Sequence, residues 1–203
     1  MFDVSMMFED VTRMIEVTAK QQLPVSNSMQ VWLQYCRDSA PDLQSTWDEI
    51  SRLDFDADFR YLTRWVTDLI RTEPLPPEVN GLWFGMFNPI LDDGRPTCQV
   101  YLAGSTRFDK SEPYSDWQCG PEYWPNGRYA NSEILTAIYR MFESIEDEVN
   151  YLGEGCLCQG YFACVIANWC GSPLADSLMG ADRQRAITMG FDSGDMHFIH
   201  LPQ

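Results

Sequence analysis

The stretch 79–106 leaves the chain little choice of fold. It holds two apolar runs, Val79-Asn80-Gly81-Leu82-Trp83-Phe84-Gly85-Met86-Phe87 and Cys98-Gln99-Val100-Tyr101-Leu102-Ala103-Gly104-Ser105-Thr106, with Asp93-Gly94 between them. Aromatic and β-branched residues on either side of an Asp-Gly turn predict a paired antiparallel unit. Both runs are apolar at nearly every position, as expected of strands covered on both faces.

Helical periodicity surrounds this unit. Val4, Met7, Phe8, Val11, Met14 and Ile15 form one stripe, with Asp3 as a cap and Leu23-Pro24 as its end. Met29, Trp32, Leu33 and Cys36 form a second, opened by Ser26 or Ser28 and closed before Pro41. Leu43, Trp47 and Ile50 make a third; Phe59, Leu62, Val66, Leu69 and Ile70 make a fourth. Glu73-Pro74-Leu75-Pro76-Pro77 then stiffens the crossing into the first strand. Beyond the strands, Asn131 or Ser132 caps a helix carrying Leu135, Ile138, Met141, Phe142, Ile145, Val149 and Leu152, which Gly153 and Gly155 are expected to end. Residues 157–169 are apolar all round and read as a buried helix. Ser172-Pro173 opens a short helix ending at Gly180. Residues 186–192 and 196–201, with Ser193-Gly194 between them, read as a terminal hairpin.

The order is a helical layer (1–72), a central hairpin (79–106), helices (131–180) and a C-terminal hairpin (186–201). It predicts a single α+β domain over 1–203, with a largely antiparallel sheet built from the two hairpins and covered by N-terminal and central helices.

Charge bounds the partners. Thirty acidic residues against 14 basic ones give a formal net charge of -16, a field that repels phosphate backbones and favours basic proteins. The same acidity also keeps a Trp-rich chain in solution. Seven cysteines, an odd number, fit reduced thiols in a cytoplasmic setting better than a disulfide framework. No basic segment followed by an apolar run marks the N-terminus, and charged residues interrupt every apolar stretch before membrane-spanning length, so no membrane partner is expected.

The residues of catalysis and metal binding do not assemble in the sequence. Cys156, Cys158, Cys164 and Cys170 lack zinc-site spacing, and six-residue steps along one helix turn successive thiols away from each other. His197 and His200, the only histidines, fall on opposite faces of a strand. Asp192-Ser193-Gly194-Asp195 lacks the further ligands of a calcium loop. Asp54, Asp56 and Asp58 stand where acids favour a helix start, and Glu143, Glu146, Asp147 and Glu148 read as a solvated helix face. Walker, Gly-x-Gly-x-x-Gly and Gly-x-Ser-x-Gly signatures are missing. No cofactor or metal is expected, and an enzyme is the less favoured class.

The candidate contact region is 107–128, a long aperiodic segment mixing acids with rings. It supplies Asp109, Glu112, Asp116, Trp117, Glu122, Tyr123 and Trp124, to which the hairpin tip adds Asp92 and Asp93. Exposed rings in an acidic rim have the composition of an interface hot spot. If the rings turn inward instead, they plug the end of the sheet.

Gly81-Leu82-Trp83-Phe84-Gly85-Met86-Phe87, Tyr101-Leu102-Ala103-Gly104-Ser105 and Gly190-Phe191-Asp192-Ser193-Gly194-Asp195 resemble segments of small bacterial α+β proteins. Some of those accompany polymorphic or contact-dependent toxins as immunity proteins. The resemblance implies a non-enzymatic, cytoplasmic protein that binds and neutralises a basic toxin domain. The alternative is an enzyme or small-ligand binder with a pocket over the sheet, lined by Trp83, Tyr101, Trp117 and His200. Self-association that buries the Trp rings is a third course.

Overall fold

The computed structural model describes residues 4–143, 145, 148–180, 182–192 and 196–203. The expected caps and turns at Asp3, Ser193-Gly194 and Asp195, and the acids Glu146 and Asp147, lie outside the described residues.

The fold is α+β. Its sheet has five strands in the order β3-β2-β1-β4-β5, formed by β1 (Gly81–Phe87), β2 (Gln99–Ser105), β3 (Tyr129–Asn131), β4 (Ala186–Phe191) and β5 (His197–His200). The central hairpin pairs β1 with β2 in the register Gly85↔Tyr101, and the C-terminal hairpin pairs β4 with β5. The two hairpins meet through a parallel contact, β1 beside β4 with Gly85↔Gly190, so the sheet is mixed at its centre. Strand β3 adds to the β2 edge and falls in a stretch whose sequence carried no strand pattern.

The inner face of the sheet presents Leu82, Phe84, Met86, Val100, Leu102, Ile187 and Met189 to the helices. Helix α6 (Gln159–Cys170) lies directly on it: the Phe84 ring stands edge-on to Phe162 at 6.3 Å and 5.5 Å from Trp169. Helices α1 (Val4–Gln21) and α2 (Val25–Ser39) also pack against α6, α1 reaching β5 as well, which is why α6 is apolar around its whole circumference. A Cβ at Gly160 would come within 2.4 Å of the Trp32 ring, so that glycine sets how closely α6 and α2 approach.

Helix α3 (Gln44–Ile50) follows a 3₁₀ turn at Pro41–Leu43, and α4 (Phe55–Thr72) starts at Asp54, whose carboxylate accepts the Ala57 amide at 2.9 Å. Asp58, read as one more acid at that helix start, is instead buried. It accepts hydrogen bonds from the Ser132 hydroxyl (2.6 Å), the Tyr161 hydroxyl (2.8 Å) and the Glu133 amide (2.9 Å), tying α4 to α6 and to α5 (Glu133–Glu143). Ser132 also caps α5, its hydroxyl accepting the Leu135 amide at 3.0 Å.

Two helix boundaries differ from the sequence reading. Ser26 and Ser28 lie inside α2 rather than opening it; Pro24 flanks the start, where its missing N–H costs nothing. Helix α5 stops at Glu143, and Val149 falls in a 3₁₀ turn at Glu148–Asn150. Gly153 and Gly155 do not terminate a helix; both lie within a π-helical segment, Leu152–Cys158, that runs straight into α6. Close packing explains them: a Cβ on Gly153 would sit 2.5 Å from the Phe142 ring, and one on Gly155 would sit 3.2 Å from Met7. The short helix after Ser172 is α7 (Ala175–Met179), which Gly180 ends at φ +78°.

Candidate functional site

Alternation along the strands sends Trp83, Gly85 and Phe87, Tyr101 and Ala103, and Tyr129 to the outer face of the sheet. Rings and the 107–128 segment cover this face instead of helices. At its centre Gly85 faces Gly190, so the floor there carries no side chain. The Tyr101 ring lies across Gly85, where a Cβ would meet its Cε1 at 2.2 Å and Trp83 Nε1 at 2.6 Å.

Tyr101 is the hub. Its hydroxyl accepts Trp83 Nε1–H at 2.8 Å and donates to Asp192 Oδ1 at 2.5 Å. Burial, followed by the hydrogen bond to Asp192, pushes the phenol well above its ordinary pKa, so it stays protonated and keeps donating. Trp124 stacks on Tyr101 with ring centroids 5.9 Å apart and planes 22° off parallel. Phe87 packs against both Tyr101 and Tyr129, at 5.9 and 5.5 Å. The Arg128 guanidinium lies 4.6 Å from the Tyr129 centroid and 5.4 Å from that of Trp124. Trp124 and Tyr129 remain 44% and 49% exposed, so the cluster is bedded in the sheet and open at the top.

The sequence-derived contact residues divide. Trp124 belongs to this cluster. Trp117 does not offer its ring to a partner: it is 2% exposed, its indole donates to the Pro113 carbonyl at 3.1 Å, and it packs edge-on to Phe108. A Cβ on Gly81 would come within 2.5 Å of that indole, so Trp117 plugs the end of the sheet. Tyr123 is half-buried, with its backbone bridged to Gly104 and its hydroxyl donating to the Glu73 carbonyl. Glu122 accepts the Thr106 amide and pairs with Arg107 at 2.8 Å; the amide chiefly holds its carboxyl below the usual range. Asp109, Glu112 and Asp116 are exposed on the same segment, Asp109 accepting from Ser111. Asp92 and Asp93 are exposed at the hairpin tip, where Asp93 pairs with Arg95. Arg107 braces the segment by donating to the carbonyls of Trp117, Cys119 and Gly120. Tyr129 and Arg128 had no counterpart in the sequence reading, because a three-residue edge strand is too short to show periodicity.

The residues expected to line a pocket over the sheet, Trp83, Tyr101, Trp117 and His200, divide among the described contacts. Trp83 and Tyr101 form one cluster and Trp117 another, while His200 Nε2 lies 3.0 Å from the Arg183 carbonyl. Among the described residues no three His, Cys, Asp or Glu side chains converge as a metal would require. No described helix is long and apolar enough to cross a membrane. Comparison with protein-family models, curated proteins and solved structures finds no match.

Proposed function

We propose that the chain is a binding protein that offers its outer sheet face to another protein, in the manner of an immunity protein that neutralises a basic toxin, with no bond made or broken. The observation that carries this reading is the pair of half-exposed rings Trp124 and Tyr129, with the partly buried Arg128 guanidinium over both and Trp124 stacked on a buried Tyr101. Trp, Tyr and Arg are the residues that dominate binding energy at interfaces. Rings held in place before contact lose little further entropy on docking. The net charge of -16 would speed the approach of a basic partner.

The proteins encoded beside this gene provide the test, each expressed with and without the chain. One of them should be toxic alone, tolerated on co-expression, and recovered in a complex whose association slows as salt rises. The double variant Trp124→Ala/Tyr129→Ala should weaken that complex by about 100-fold or more while the chain melts as before. If no neighbour is both toxic and bound, or if the double variant binds as tightly as the native chain, the reading fails.

A further inference from the structure

A second concave site lies away from the ring cluster, where the π-helical segment meets α1 and α5. It is a cavity of about 400 Å³, within the range of small-ligand sites. Phe8, Tyr139 and Tyr151 supply rings to its wall, Glu143 and Glu154 supply carboxylates, and among the described residues no Lys, Arg or His lines it. Phe8 and Tyr151 meet edge to face at 6.3 Å, forming one corner. Glu154 accepts the Asn88 side-chain amide at 3.2 Å, which holds the carboxylate in place. The Asn150 amide oxygen on the same wall is buried and accepts no hydrogen bond among the described residues.

The backbone of this wall is itself unusual. π-Helical turns are rare and recur at functional sites, because the wider turn displaces side chains from the α-helical register. Here the segment Leu152–Cys158 carries Glu154 between Gly153 and Gly155, both packed too closely to accept a Cβ without movement. Tyr139 registers the resulting field. Burial first, and then the charges of Glu154 and Glu143, push its phenol above the ordinary value, so both carboxylates act on one point of the cavity.

We infer that this cavity is a site for an organic cation, a guanidinium or primary ammonium on a short alkyl chain, held by Glu143 and Glu154 and flanked by the Phe8, Tyr139 and Tyr151 rings. Carboxylates give charge-assisted hydrogen bonds to either head group, and ring faces attract the cation further. An anion would meet two like charges, and a neutral ligand would gain nothing from them. The head group can belong to a free amine or to a Lys or Arg side chain of a protein. The inference does not depend on the outer sheet face.

Calorimetric titration of the full chain with agmatine, cadaverine, a blocked arginine tripeptide and neutral butylurea tests it. At least one cation should saturate at one site, and butylurea should not. Glu154→Gln should weaken that binding by about tenfold or more, and Glu143→Gln, on a more exposed carboxylate, should weaken it even if the first variant fails to fold. Asp93→Asn and Trp124→Ala should bind as the native chain does, which separates this site from the ring cluster. Binding of the free amines alone assigns a small-molecule ligand; binding of the tripeptide alone assigns a protein side chain. Absence of saturation by every cation to millimolar concentration, or undiminished affinity in both Glu variants, overturns the inference.

Discussion

The Asp58 side chain accepts hydrogen bonds from Ser132, Tyr161 and the Glu133 amide while only 6% exposed. Removing it strands three donors at the junction of α4, α5 and α6, so Asp58→Ala should cost about 3 kcal/mol in urea unfolding. Burial raises the carboxyl above its ordinary pKa despite those bonds. A folded-state pKa above the unfolded one means that the folded chain takes the proton more readily. Its contribution to stability therefore grows as pH falls through the folded pKa and is lost as pH rises through it. Asp58→Asn does not titrate there, so lowering the pH from neutrality toward about 4 should shift the stability difference in favour of the native chain. A shift the other way would place the carboxylate in a charge-stabilising site. Cysteine reactivity is set by the same physics. Cys119 is exposed and the other six thiols are buried, with Cys164 and Cys170 each pushed up to about 12 by burial. Ellman's reagent should label one thiol per folded chain quickly and the rest only on unfolding; fast labelling of a second would contradict the burial of the other six.

At the scale of elements, packing at Gly160 fixes how the layers stack. Gly160→Ala places a methyl 2.4 Å from the Trp32 ring, backed by α6 on one side and the body of α2 on the other. Neither ring nor helix can move alone, so the variant should lose roughly 1–3 kcal/mol in urea unfolding; near-native stability would mean that α2 is free to shift. The same contact shows what the sequence discloses. Stripes such as Met29-Trp32-Leu33-Cys36 are local and announce a helix with a buried side, and Asp93-Gly94 announces a hairpin. That Gly160 must face Trp32 depends on two segments more than a hundred residues apart. Gly153 and Gly155 were misread for the same reason: a glycine that admits Phe142 or Met7 looks in sequence like one that ends a helix. The parallel contact of β1 with β4 is equally non-local. The candidate contact region was half legible. Trp117 and Trp124 sit seven residues apart in one acidic, aromatic segment, yet one ring fills the space above Gly81 and the other opens to solvent on Tyr101.

For the molecule as a whole, the excess of acids governs how stability responds to salt. Five ion pairs join the described residues, and the more buried partner in each is still 24% exposed or more, so each contributes little and screening removes little. Against them stands the mutual repulsion implied by a net charge of -16 on 203 residues, which acts in the folded state and relaxes when the chain expands. Salt shortens the reach of that repulsion to about 10 Å at 0.1 M, below the spacing of charges on opposite sides of the domain. The repulsive sum therefore falls faster than the attractive pairs do. The melting temperature at neutral pH should rise between about 10 and 100 mM sodium chloride, a range in which screening dominates over excluded-salt effects. A melting temperature that falls over this range would show that the five pairs, or acids gathered around a bound cation, outweigh the repulsion. The same series run with Glu154→Gln separates those two cases, since a retained cation is lost with that carboxylate while the surface pairs are untouched.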